Sequence, residues 1–252
     1  MRTLDFILAG IAAGAFSGAL GLGGALVATP LLRFLGVPPY LALGTTVPAM
    51  LPTTLTGAWT YHRQGLVDTR SVSRTGAPAG AGAVAGAFLT RQVNGHVLMF
   101  MTAGLLFFLA LRSLPAREKP KVLPSPRRST GPLFALGLAA GFLAGLLGIG
   151  GGFLLVPAFI RLLRFPTKLA LGTSLAVIAW IATPNLIAQG LVGNVDWRIA
   201  FLLGIGMVPG ARMGALVTIR SSEQRLRSVV ALVVAVLAVA YAGLEVAALS
   251  SG

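Results

Sequence analysis

The sequence predicts an all-α, polytopic transmembrane bundle built from two inverted repeats whose short helices are broken by glycine. Three observations carry that prediction: an apolar composition with few charges, a sequence unit that occurs twice, and basic residues gathered on alternate loops. Of 252 residues, 56% are apolar and 10% charged, and the mean hydropathy is +0.86. A soluble domain carries about 25% charged residues. Six acids along the chain do not solvate a globule of this size, whereas a bilayer accepts apolar side chains on the outside. The 33 glycines weaken soluble helices but suit the close packing of membrane ones.

The duplication is read directly. Residues 10–32 (GIAAGAFSGALGLGGALVATPLL) and 137–159 (GLAAGFLAGLLGIGGGFLLVPAF) are identical at ten of 23 positions at a spacing of 127 residues. One inserted residue then moves the spacing to 128, where LALGT at 41–45 meets LALGT at 169–173 and GLVDTR at 65–70 meets GNVDWR at 193–198. Gly76, Gly82 and Gly86 coincide in the same way with Gly204, Gly210 and Gly214. Shared pieces in one order mark a duplicated unit. The first unit is expected over 1–113 and the second over 131–252, with the proline-rich, charged segment 114–130 as a cytoplasmic linker.

Each unit contains five apolar stretches. They lie at about 4–20, 24–35, 41–61, 72–90 and 94–112, then at about 132–147, 152–163, 169–190, 198–219 and 227–248. The second stretch of each unit, near 12 residues, reaches only ~18 Å as a helix against a hydrocarbon core of ~30 Å. Each opening pair is therefore expected to form a glycine-broken hairpin or two short tilted spans. Either way the chain returns to its starting side, the number of crossings per unit is odd, and the second unit is inverted.

The charges test that arrangement. With the linker in the cytoplasm, inversion places fifteen cations inside and four outside, whereas parallel units give eleven and eight. The positive-inside rule selects the first, which leaves both termini outside. The net charge of +14 is thus assigned to topology-setting loops and not to nucleic acid, since the basic residues sit between apolar runs.

Inverted repeats joined around broken helices are the architecture of secondary transporters. The breaks are Gly21-Leu22-Gly23-Gly24 and Gly148-Ile149-Gly150-Gly151-Gly152. The first amides of the helix after each break lack internal partners and carry the positive dipole end, so two facing starts suit an anion. Candidate substrate contacts are Gly21, Gly23, Gly24, Gly148, Gly150 and Gly151. Thr45, Thr46, Thr173 and Ser174 either donate to an oxyanion or cap the third stretch. Asn185 and Gln189 bond to substrate or across helices. Arg212, with Val84 as its counterpart, is a charge inside an apolar stretch and a counter-ion candidate. Asp68 and Asp196 read as local ion pairs or helix caps, and His62 as structural.

No phosphate-binding loop, HExxH, acidic metal pair or Ser/His/Asp set occurs, and the chain has no cysteine and two histidines. A catalytic role, a metal and a cofactor are therefore not expected. An anion channel or a non-transporting scaffold is the alternative reading, and a membrane enzyme a further one. Self-association is compatible with such a chain.

The ordered set GALGLGGALVATPLL, GLLGIGGGFLLVPAF, the two LALGT runs and GxVDxR resembles the TauE/SafE family of sulfite-exporter permeases across essentially the whole chain. The resemblance implies a permease of the bacterial inner membrane acting on sulfite, organosulfonates such as sulfoacetate, or related sulfur compounds. The first unit departs at Ala25 against Gly152 and at Thr69 against Trp197.

Overall fold

A computed structural model describes residues 2–90, 92–95, 97, 98, 100–105 and 130–222, with 232, 236, 239 and 243. The linker expected at 114–130 falls outside these except for Thr130. So do most of the stretch at 227–248, the second half of that at 94–112, and Arg91 and His96. In chain order the helices that build the bundle are α1 (Arg2–Leu20), α2 (Ala25–Phe34), α3 (Pro39–His62), α4 (Thr69–Thr90), α5 (Thr130–Leu147), α6 (Gly152–Leu162), α7 (Thr167–Val192) and α8 (Trp197–Arg220). No strand occurs among the described residues. The chain is a helical membrane protein: α1, α5, α7 and α8 are each long and apolar enough to cross a bilayer. By contrast α2 and α6, of 10 and 11 residues, reach only about 15–17 Å at 1.5 Å per residue.

Local chemistry sets the helix limits. Pro38 and Pro39 open α3, where a missing amide costs nothing. Asp196 caps α8, its carboxylate accepting from the Ile199 amide at 3.0 Å. Asp68 plays the same part for α4, accepting from the Ser71 amide at 3.2 Å. The helix-cap reading of both aspartates is thereby met.

The helices associate across the two units. α1 lies along α8, and α4 lies along α5. Both seams are made of glycine: a Cβ on Gly10, Gly14 or Gly18 would run into the backbone of Leu203, Met207 or Ala211 in turn. On the other seam, Gly137, Gly141 and Gly145 meet Thr75, Ala79 and Ala83. Residue numbers rise together along both seams, so each pair runs parallel. α7 runs parallel to α4, with Gly172 against Leu66, Gly76 against Trp180 and Gly80 against Pro184. α3 shares α8's direction, with Gly44 against Asn194 and Ala49 against Gly204. α3 and α7 are antiparallel, Gly57 facing Leu175 and Tyr61 facing Gly172. Because α1 and α3 both follow α8, α2 carries the chain back between them; α6 does so between α5 and α7.

Candidate functional site

The two glycine breaks meet at the centre of this arrangement. Residues 21–30 and 144–153 are all buried. Gly21 and Gly23 have φ of +65° and +72°, and Gly148, Gly150 and Gly151 have +64°, +82° and +65°. Side chains with a Cβ avoid that region, which is why the sequence breaks on glycine there. A Cβ on Gly152 would stand 2.5 Å from the Gly21 carbonyl oxygen and 2.6 Å from Leu22 Cα; one on Gly150 would stand 3.3 Å from the Gly23 carbonyl oxygen. The breaks therefore touch backbone to backbone. Met50 of α3 and its repeat counterpart Ile178 of α7 close the junction, Met50 Sδ lying 2.7 Å and 3.4 Å from Cβ positions on Gly150 and Gly23.

Each break interrupts the helical hydrogen-bond ladder on two sides, and the amides of Leu26, Val27 and Ala28, like those of Gly152, Leu154 and Leu155, turn back onto glycine carbonyls of their own break. On the amide side, α2 and α6 begin from Gly24 and Gly151, and neither start has a side-chain cap. On the carbonyl side, the last turns of α1 and α5 are served by side chains. Tyr61 donates to the Gly18 carbonyl at 3.0 Å and Thr218 to that of Ala19 at 3.0 Å. In the second unit Gln189 donates to the Gly145 carbonyl at 3.2 Å, and Thr90 reaches the Gly145 and Leu146 carbonyls at 3.3 and 3.2 Å. The four donors occupy matching repeat positions, and Thr90 and Thr218 each come from the opposite unit. Tyr61, Thr90 and Thr218 are not among the sequence-predicted contacts. A signal existed for two of them, since Thr90 and Thr218 coincide at the spacing of 128 residues.

The structure divides the remaining candidates. Thr45 Oγ1 accepts from the Asp196 amide at 2.9 Å, and Thr173 Oγ1 accepts from the Asp68 amide at 3.0 Å. These are one contact made twice with the units exchanged, each pinning a loop of one unit to a long helix of the other. Thr46 donates to the Leu43 carbonyl at 2.9 Å. Ser174 Oγ lies 2.8 Å from both the Leu171 and Gly21 carbonyls, tying α7 to the first break. Gln189 is engaged twice, since its Oε1 also accepts from Asn194 at 3.1 Å. Arg212 is exposed and stands away from the junction, on the side of α8 opposite the Gly210 and Gly214 seam. Asn185 is fully buried, and neither its oxygen nor its nitrogen has a partner among the described residues.

A groove of about 700 Å³ runs between α3, α4 and α7, lined among others by Leu55, Gly80, Val84, Trp180 and Pro184. None of the sequence-predicted contacts lines it. No group of three or more metal-ligating side chains occurs among the described residues.

Replacing Thr173 or Thr45 by valine keeps the shape but removes the oxygen that receives the partner loop's amide. Each substitution is expected to cost roughly 1 kcal/mol. The two should add, because they sit at opposite ends of the bundle. Thermal unfolding of the single and double variants in detergent reads this out, and a double variant as stable as its parent contradicts it.

Comparison with known proteins gives a consistent picture. The family model described as Sulfite exporter TauE/SafE matches residues 6–241. The chain is 31% identical over 228 residues to the "Probable membrane transporter protein YdhB" of Bacillus subtilis (strain 168), covering 88% of this chain and 93% of that one. It is 28% identical over 245 residues to YunE of the same organism, named in the same words, with 86% and 89% covered. It is 30% identical over 233 residues to a "Probable membrane transporter protein" of Xylella fastidiosa (strain 9a5c), with 88% of each chain covered. No solved structure matches.

Proposed function

Since the chain belongs to the Sulfite exporter TauE/SafE family, we propose that it is a secondary transporter of a small anion, of the sulfur oxyanion or organosulfonate class, working by alternating access across the bacterial inner membrane. The observation that carries this reading is the meeting of two buried glycine breaks, each opening a helix without a side-chain cap. Amides at such starts favour negative charge without placing a cation in the bilayer.

Helix directions support inverted units. α1 and α3 share the direction of α8, α5 and α7 share that of α4, and α3 opposes α7. Counterparts in the two units therefore point opposite ways, as alternating access around a central site requires. Charge supports an orientation. The ends of α3 and α8 and the starts of α4 and α7 carry Arg63, Arg70, Arg74, Lys168 and Arg220, with Arg161 and Arg164 close by in sequence. Lys168 Nζ donates to the Ile219 carbonyl at 2.7 Å, joining two of these ends. Arg33 and Arg198 flank the opposite end. The cation-rich end is the cytoplasmic one by the positive-inside rule, with both termini outside.

Protein reconstituted in liposomes tests the reading with sulfite and methanesulfonate as probes. Saturable uptake that accelerates when the lumen is preloaded with the same anion is the expected result. Flux that rises without saturation identifies a channel, and no flux of either anion defeats the proposal.

A further inference from the structure

We infer that Asn185 is a side chain that contacts the transported anion, at the second unit's break. This rests on the anion-transporter reading above. Asn185 is 0% exposed, and both its amide nitrogen and its oxygen lack partners among the described residues. An unmade hydrogen bond on a buried group costs about 1–3 kcal/mol, and in a membrane core no bulk water relieves it. A buried amide held open in this way is a group waiting for a ligand.

Its position says which ligand. Ser174, Ile178, Ile181, Asn185 and Gln189 recur every three or four residues and form one stripe of α7. Contacts fix both ends of that stripe: Ser174 reaches the Gly21 carbonyl, and Gln189 reaches that of Gly145. Between them Ile178 stands 2.8 Å from a Cβ position on Gly152, and Ile181 3.1 Å from one on Gly151. Asn185 is one turn beyond Ile181 and one turn before Gln189. That places it alongside the last turns of α5 and the uncapped start of α6, an 11-residue helix. Of the opening amides of α6, those of Gly152, Leu154 and Leu155 bond to the Gly150 and Gly151 carbonyls, so the donor set for an acceptor-only oxyanion is the two N–H donors of Asn185 with the Phe153 amide. Other polar side chains on the stripe already serve the backbone. The repeat counterpart of Asn185 is Gly57, which meets Leu175 and offers no donor. The pseudo-symmetry is broken at this place.

The test compares purified wild type with Asn185→Leu, which keeps the branched outline without polar atoms, and Asn185→Asp, which keeps the shape and adds negative charge. Titration calorimetry with sodium sulfite and with methanesulfonate measures binding, and thermal unfolding measures the ligand-free protein. Asn185→Leu is expected to bind at least about tenfold more weakly while melting at or above the wild-type temperature, because an unmet polar group is gone. Asn185→Asp is expected to show no binding. Should Asn185→Leu fail to fold, Asn185→Ala carries the same test. Folded Asn185→Leu binding within twofold of wild type overturns the assignment and leaves the anion reading standing. A sharp fall in its ligand-free melting temperature also overturns it, by revealing a structural partner. Wild type that binds neither probe defeats the anion reading itself, and this assignment with it.

Discussion

Gly141→Ala is expected to destabilise the protein by about 3 kcal/mol, at the upper end of what overpacking costs. The new methyl would meet the Ala79 backbone, with Ala79 C at 2.6 Å and Cα at 2.8 Å. Backbone does not swing aside as a side chain does, so α4 and α5 must part along their length. Gly82, Gly86, Gly137 and Gly145 lie on the same seam and lose their close approach together. At roughly 2–4 °C per kcal/mol for a chain of this size, the melting temperature in detergent falls by about 6–12 °C. Gly14→Ala, at the equivalent place against Met207 on the α1–α8 seam, should do the same. Gly131→Ala meets nothing within 4 Å and should leave melting unchanged. A Gly141→Ala protein that melts with the wild type would show that the seam has slack.

Gly152→Ala strikes the junction instead, and its main effect is expected in flux. Gly152 lies inside α6 with an ordinary helical backbone, so alanine brings no strain of its own. The methyl would stand 2.5 Å from the Gly21 oxygen, 2.6 Å from Leu22 Cα and 2.8 Å from Ile178 Cδ1, forcing the two breaks apart. Breaks pushed apart are expected to lose contact with the anion worth about 1.5–3 kcal/mol, at least roughly tenfold, and sulfite uptake into liposomes measures the loss. The first unit already carries a methyl at the matching place, the buried Ala25. Ala25→Gly should therefore cost only about 1 kcal/mol of helix propensity. Equal flux from Gly152→Ala and wild type would remove the junction from the transport path.

Much of this architecture is legible in the linear sequence because the relevant physics is local. Composition announces the membrane, and LGLGG and LGIGGG announce breaks because positive φ demands glycine. The partners are a different matter. Thr45 and Thr173 stand out as repeated hydroxyls, yet the amides they receive lie 151 and 105 residues away. Periodicity along one helix cannot show that a threonine holds the other unit's loop. Gln189 reads equally as a substrate ligand or a helix-to-helix bond, and the Gly145 carbonyl it reaches lies 44 residues away. Arg212 reads as intramembrane by hydropathy, and its phase against Gly206, Gly210 and Gly214 sets it off the glycine face, on the exposed side of α8. Asn185 is the polar candidate whose chemistry the fold leaves unspent.

The pairing of α1 with α8 also dictates the order of events during synthesis. Ala19 finds Thr218, its hydrogen-bond partner, across 199 residues of chain. At roughly 5–20 residues per second, a ribosome needs about 10–40 s to deliver the second after the first. Over that interval the opening helix resides in lipid with its flattest side unclaimed. A first unit made without the second lacks the helices that α1 and α4 pack along.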